Sequence, residues 1–136
     1  MRSCLLLLAV AALGCLAEGP TPETIRGKLI RHDGKPALEI TGRQPILLDG
    51  DERTRAVLND KRLEGFELSA KGHFTAPDHF LVDPIHTRAI LVYRDGKAKL
   101  VTYWCDTCSI RTYTPGRCWC CQKETTLDLR DPDAPL

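Results

Sequence analysis

The sequence predicts a mainly β protein with one short helix and a cysteine-bearing β-hairpin motif at its C-terminal end. Three observations carry that expectation. Short runs of alternating apolar and polar residues recur, separated by turn signals such as Asp33-Gly34 and Asp95-Gly96. Only one stretch, Glu52 to Asn59, reads as a helix. Five cysteines fall between Cys105 and Cys121, in the run CDTCSIRTYTPGRCWCC.

The chain has 136 residues, enough for one domain or a small domain with an appended motif. Hydrophobic residues make up 43% and charged residues 27%, as in ordinary globular proteins. Lys and Arg total 19 against 18 Asp and Glu; removing Arg2 with the leader described next leaves 18 against 18. A neutral chain lacks the basic excess that phosphate backbones demand, so no nucleic-acid partner is expected.

Residues 1–17 read as an export signal. Arg2 supplies the positive start, and Leu5 to Leu13 forms a nine-residue apolar run, too short to span a bilayer. Two processing routes are open. Cleavage after Ala17 follows from the small residues at Cys15 and Ala17. Alternatively, Ala11 to Cys15 resembles a bacterial lipobox, with Ala12 where that motif usually has Leu; Cys15 would then carry lipid and residues 1–14 would be removed. On both routes the protein is exported, to the periplasm or the outer membrane, and Cys15 is the only expected membrane attachment. Residues 18–23 read as a tether.

Residues 24–87 read as a β-domain. Ile25 to Arg31 and Ala37 to Ile40 flank the Asp33-Gly34 turn, and Ile46 to Leu48 follows. Asp51 is placed to cap the helix, whose apolar side is Ala56, Val57 and Leu58. From Gly65 to Phe74, Phe66, Leu68 and Ala70 share one face while Glu67, Ser69 and Lys71 share the other. His79 to Val82 is a further strand, ended by Pro84. Three strands, a helix and two strands resemble the OB-fold, a five-stranded barrel with a helix between its third and fourth strands.

Residues 88–130 form the four-cysteine motif, and 131–136 a tail. Ala89 to Arg94 and Ala98 to Trp104 flank Asp95-Gly96, and Glu124 to Arg130 alternates as a last strand. Cys105-x2-Cys108 and Cys118-x2-Cys121 stand nine residues apart. Each C-x2-C turn presents two thiolates to one side of an ion, and two such turns complete a tetrahedron for one structural Zn²⁺. Strands carrying two such cysteine knuckles resemble a zinc ribbon, which is the motif expected over residues 88–130. Disulfides are the rival in an oxidising compartment, but they leave one of five thiols unpaired. Cys120 is expected to point away from the ion. Arg111, Arg117 and Lys123 are expected to offset the charge of the thiolates.

The residues Tyr103-x-Cys105-x2-Cys108-x-Ile110 and Pro115-Gly116-Arg117-Cys118-x2-Cys121 resemble the heavy-metal-binding domain of exported and membrane-linked bacterial proteins. That family reads roughly Y-x-C-P-x-H-P-x-V, then P-G-K-C-P-x-C-G-M-x-L. Here Cys108 stands where the family has His, Asp106 and Trp119 replace prolines, and Gln122-Lys123 replaces Gly-Met. The resemblance implies a metal site at Cys105, Cys108, Cys118 and Cys121. The all-thiolate set favours tight retention over delivery.

His32, His73, His79 and His86 are scattered and are expected at surfaces or turns; His73 and His79 could flank one loop as a second metal site. Asp49 to Glu52 reads as a loop and helix cap, lacking the ligand periodicity of a calcium loop. Trp104, Tyr113 and Trp119 are expected either to shield the metal or to form a recognition surface. No hydrolase, zincin, phosphate-loop or dinucleotide signature occurs. The expected function is a non-enzymatic binding or assembly module for a protein or small ligand. Heavy-metal handling and thiol–disulfide exchange are the alternatives.

Overall fold

In the computed structural model, which describes residues 19–135, both Asp-Gly turns form as expected. Asp33 and Gly34 lie at φ 50° and 75°, and Asp95 and Gly96 at φ 51° and 75°. Left-handed pairs of this kind match the twist of the strands they join. The first turn connects β1 (Glu23–His32) to β2 (Lys35–Glu39). The second connects β6 (Ile90–Arg94) to β7 (Lys97–Cys105). β1 begins at Glu23, the last residue of the expected tether.

The OB-like barrel is built by pairings that no local signal dictates. β2 pairs with β3 (Ile46–Asp49), which lies parallel to β5 (His79–Val82). β5 pairs with β4 (Glu67–Ala76), and β4 returns to β1, with Glu23 opposite Gly72 and Lys28 opposite Glu67. The order β1-β2-β3-β5-β4 thus closes on itself and leaves the five strands without a free edge. Where β4 and β5 cross, a Cβ on Gly72 would lie 2.0 Å from the Leu81 carbonyl oxygen, so only glycine permits that approach.

The helix α1 (Glu52–Leu58) sits between β3 and β4. The Thr54 N–H donates to the Asp51 carboxylate at 2.8 Å, the expected cap. Val57 and Leu58, with Leu63 from a following 3₁₀ turn, are buried in the same core cluster as the barrel strands. Leu29, Leu38, Ile46, Leu68, Phe80 and Val82 fill its interior. Leu68 and Ala70 are buried and Glu67 and Lys71 exposed, so β4 has the expected register, with Phe66 half-buried against the core. Ser69 is buried on the opposite face. Arg26 faces it from β1 and reaches across β4 to lie 3.5 Å from the Tyr93 ring centre, which covers it.

The segment after β5 departs from expectation. A single helical turn, α2 (His86–Ala89), precedes β6, and Ile85 enters it at φ 66° and ψ 65° while more than half exposed. A β-branched residue in the left-handed region costs on the order of 1–3 kcal/mol, held here by its surroundings. β6 also pairs with β4, from Glu67 opposite Tyr93 to Ala70 opposite Ile90, so the second hairpin extends the barrel sheet.

The long strand β7 carries the chain from the barrel to the cysteines. Its start pairs with β6, its middle with β9 (Thr126–Arg130), and its end with β8 (Ile110–Thr112). Val101 and Tyr103 from β7 join the barrel core. The Arg62 guanidinium reinforces the junction: it donates to Asp60, donates to the Thr125 carbonyl at 3.0 Å, and lies 5.2 Å from the Tyr103 ring centre. Burial opposes the Asp60 charge, but the bonds from Arg62 outweigh it and hold the carboxyl below its ordinary value.

Candidate metal centre

Cys105 is the last residue of β7, so the rigid strand that anchors in the core also delivers the first sulfur. The chain then turns. The Ser109 N–H donates to the Cys105 carbonyl at 2.8 Å, and Ser109 adopts φ 53°. The second turn repeats the first thirteen residues later. The Gln122 N–H donates to the Cys118 carbonyl at 2.9 Å, and Gln122 adopts φ 61°. Each knuckle therefore has the same closing bond and the same left-handed residue after its second cysteine. The N–H of Cys118 also donates to the Lys123 carbonyl at 2.8 Å, which closes the second loop at its base.

The sulfurs of Cys105, Cys108, Cys118 and Cys121 all lie within 4.8 Å of one another, and those of Cys105 and Cys121 are 3.5 Å apart. Four thiolates about 2.3 Å from one ion stand roughly 3.8 Å apart in a tetrahedron. The four can hold a metal ion with little rearrangement. Cys105 and Cys118 are buried, and Cys108 and Cys121 are half-buried. All five cysteines of the segment are free thiols, and Cys120 is exposed, outside the group of four.

Backbone donors bias the charge. The N–H groups of Cys121 and Cys120 point at the Cys118 sulfur and bring its pKa down to about 7. The Cys108 N–H pulls Cys105 down in the same way, but burial and the Cys121 and Cys118 sulfurs leave it raised. Cys108 is raised by the Cys120 thiol beside it, then by burial and the Cys121 and Cys118 sulfurs. Thiols this crowded ionise together only when a cation sits among them, which is the condition for metal binding.

The expected offset by basic side chains is largely absent. Arg111 is committed to Asp128 on β9 and to the Thr102 hydroxyl at 2.7 Å, and lies 5.0 Å from the Trp104 ring centre. Arg117 pairs with Glu124 at 3.4 Å, with both side chains exposed. β8 and β9 both pair with β7, which brings Asp128 within reach of Arg111, and an isolated bridge sets Glu124 opposite Arg117; spacing along the chain did not reveal either. Lys123 alone crosses to the other knuckle, where its Nζ donates to the Thr107 hydroxyl at 3.2 Å.

Among the described residues, only the four cysteines form a metal-capable group. The histidines lie apart. His32 is beside Asp33, and His79 Nδ1 lies 2.7 Å from Asp78. His73 sits opposite Leu81 in β4, while His79 starts β5 opposite Ala76. His86 corrects the expectation of a surface or turn site: it is buried, with Nε2 2.7 Å from the Tyr113 carbonyl oxygen. Asp49 and Asp51 serve as loop and cap, as expected; Asp49 accepts from the Gly50 N–H at 2.8 Å. Of the aromatic residues, Trp104 is half-buried under Arg111, whereas Trp119 is 73% exposed and shields nothing. Cys15 lies outside the described residues.

The backbone N–H donors and the left-handed positions of Ser109 and Gln122 were missed from the sequence. One signal was available: Gln122 stands where the quoted heavy-metal pattern has glycine. Gln122→Gly is accordingly expected to stabilise the protein by about 1 kcal/mol, the usual cost of a left-handed side chain. A rise in the chemical-denaturation midpoint with unchanged metal content checks this; a fall contradicts it.

No protein-family model matches the chain, and neither a curated protein nor a solved structure matches it.

Proposed function

We propose that the protein is an exported, non-enzymatic binding or assembly module whose C-terminal motif is held by one structural Zn²⁺ on Cys105, Cys108, Cys118 and Cys121. The observation that carries this reading is the convergence of four sulfurs within 4.8 Å from two knuckles of matching geometry. An all-thiolate tetrahedral set suits zinc, and a closed four-ligand site leaves no position for a substrate. The burial of Cys105 and Cys118 supports retention over delivery of the ion.

Thiol–disulfide exchange has one observation behind it, the lowered pKa of Cys118. An attacking thiolate must be reached by its partner, and Cys118 is 0% exposed. Exposed Trp119 and Tyr113 support a protein or small-ligand partner. The neutral chain argues against nucleic acid. Export rests on Arg2 and the apolar run Leu5 to Leu13, and membrane attachment on lipid at Cys15.

Native mass spectrometry of the protein recovered from a bacterial envelope tests both parts at once. The expected species carries one zinc and begins at Glu18 or at a lipidated Cys15. A metal-free chain with two disulfides in the 105–121 segment would overturn the zinc, and an unprocessed chain starting at Met1 the export.

A further inference from the structure

A cavity of about 580 Å³ opens where the start of α1, the α2 turn, β7 and the loop after β8 meet. That size lies within the range of small-molecule sites, about 300–1,000 Å³, and the meeting of several elements is their usual location. Ile85, Leu100 and Tyr113 give it an apolar wall. Asp51, Arg53 and His86 are its charged and titratable groups.

Each of those three has something left to offer. His86 is only 6% exposed, and its Nε2 is taken by the Tyr113 carbonyl. A carbonyl only accepts, so Nε2 carries the proton; Nδ1, an acceptor in that tautomer of imidazole, has no partner among the described residues. Asp51 uses one carboxylate oxygen to cap α1 and keeps the other. Arg53 makes no ion pair or hydrogen bond among the described residues and lines the same cavity. Ile85 meanwhile is held in a left-handed conformation with its side chain exposed at the cavity wall. Strain maintained at a cavity is a pointer to a site.

We propose that this cavity binds a free α-amino acid with an apolar side chain. Its ammonium group donates to Asp51 and to His86 Nδ1. Its carboxylate pairs with Arg53, and its side chain lies against Ile85, Leu100 and Tyr113. The charge arrangement selects this class. Asp51 and Arg53 line one cavity, and the arginine charge, after the bond from the Thr54 N–H, is close enough to lower the carboxyl's pKa, so a ligand that answers both must carry opposite charges close together, as an α-amino acid does. A peptide carries its ammonium and carboxylate on different residues, and a simple fatty acid leaves Asp51 unanswered. This inference is independent of which ion the cysteines hold.

Titration of the full, metal-loaded chain with L-leucine and L-phenylalanine, followed by ¹H–¹⁵N spectra, tests it. Saturable shifts are expected at 51–53, 85–87 and 113, with a dissociation constant below about 1 mM. N-acetyl-leucine lacks the cation, leucinamide lacks the anion, and the dipeptide Leu-Leu separates the two; each should bind about tenfold more weakly, the worth of one charge-assisted bond. Arg53→Gln, an exposed change, should weaken leucine about tenfold and abolish its advantage over leucinamide. Ile85→Gly should raise the melting temperature by releasing strain yet weaken leucine binding, a combination that a purely structural residue does not produce. The proposal is overturned if leucine gives no saturable shift at about 10 mM. It is also overturned if N-acetyl-leucine, leucinamide or Leu-Leu binds as tightly as leucine, or if Arg53→Gln leaves leucine binding unchanged.

Discussion

Replacing Cys118 by Ser, or Cys105 by Ser, is expected to release the metal and unfold the segment from Cys105 to Thr125. Both sulfurs are buried, at 0% and 2% exposure, so a hydroxyl there loses a soft ligand and finds no water to compensate. Structural zinc supplies roughly 10–16 kcal/mol in small motifs, so one thiolate of four accounts for about 2.5–4 kcal/mol. The segment has little else to hold it: β8 spans three residues, Ile110–Thr112, and Trp119 is largely exposed. Metal content and amide exchange read the outcome, with loss of zinc and rapid exchange from 105 to 125. Cys108→Ser and Cys121→Ser should act in the same direction. Cys120→Ser, at an exposed thiol outside the group of four, should stay within about 0.5 kcal/mol of the parent and keep its zinc.

Leu68→Ala should destabilise the barrel by about 2–5 kcal/mol. Leu68 is fully buried in β4, the strand that closes the barrel on β1 and also carries the second hairpin. Truncation leaves a cavity between rigid strands that cannot collapse into it. A urea midpoint that falls with an unchanged slope would show this loss. A loss below about 0.5 kcal/mol would mean that this face is not the core. Because β7 anchors Val101 and Tyr103 in the same core and ends at Cys105, the barrel mutation is felt at the metal site too.

Much of this was legible because the signals were local. Asp33-Gly34 and Asp95-Gly96 need left-handed backbone, and both are hairpin turns. Alternation at Leu68 and Ala70 reported the buried face of β4. The spacing of Cys105, Cys108, Cys118 and Cys121 brought four sulfurs together. What stayed hidden depends on residues far apart in the chain. The parallel pairing of β3 with β5 joins Leu47 to His79, and nothing in either run announces the other. Arg111 and Arg117 read as free cations until the fold, with β8 and β9 both on β7 and an isolated Arg117–Glu124 bridge, set Asp128 and Glu124 against them. His86 lies in a short segment behind Pro84, where no periodicity distinguishes a buried ring from an exposed one. Its contact with the Tyr113 carbonyl, 27 residues on, is one that no local signal announces.

One ion shared by the four sulfurs is the central expectation. Zinc-edge X-ray absorption of the purified protein measures that most directly, since it counts the atoms bound to the metal and their distance. Four sulfur neighbours at about 2.3 Å, retained in Cys120→Ser and lost in Cys118→Ser, are the predicted result. A first shell containing nitrogen or oxygen, or a protein that holds no zinc when its thiols are kept reduced, would contradict it.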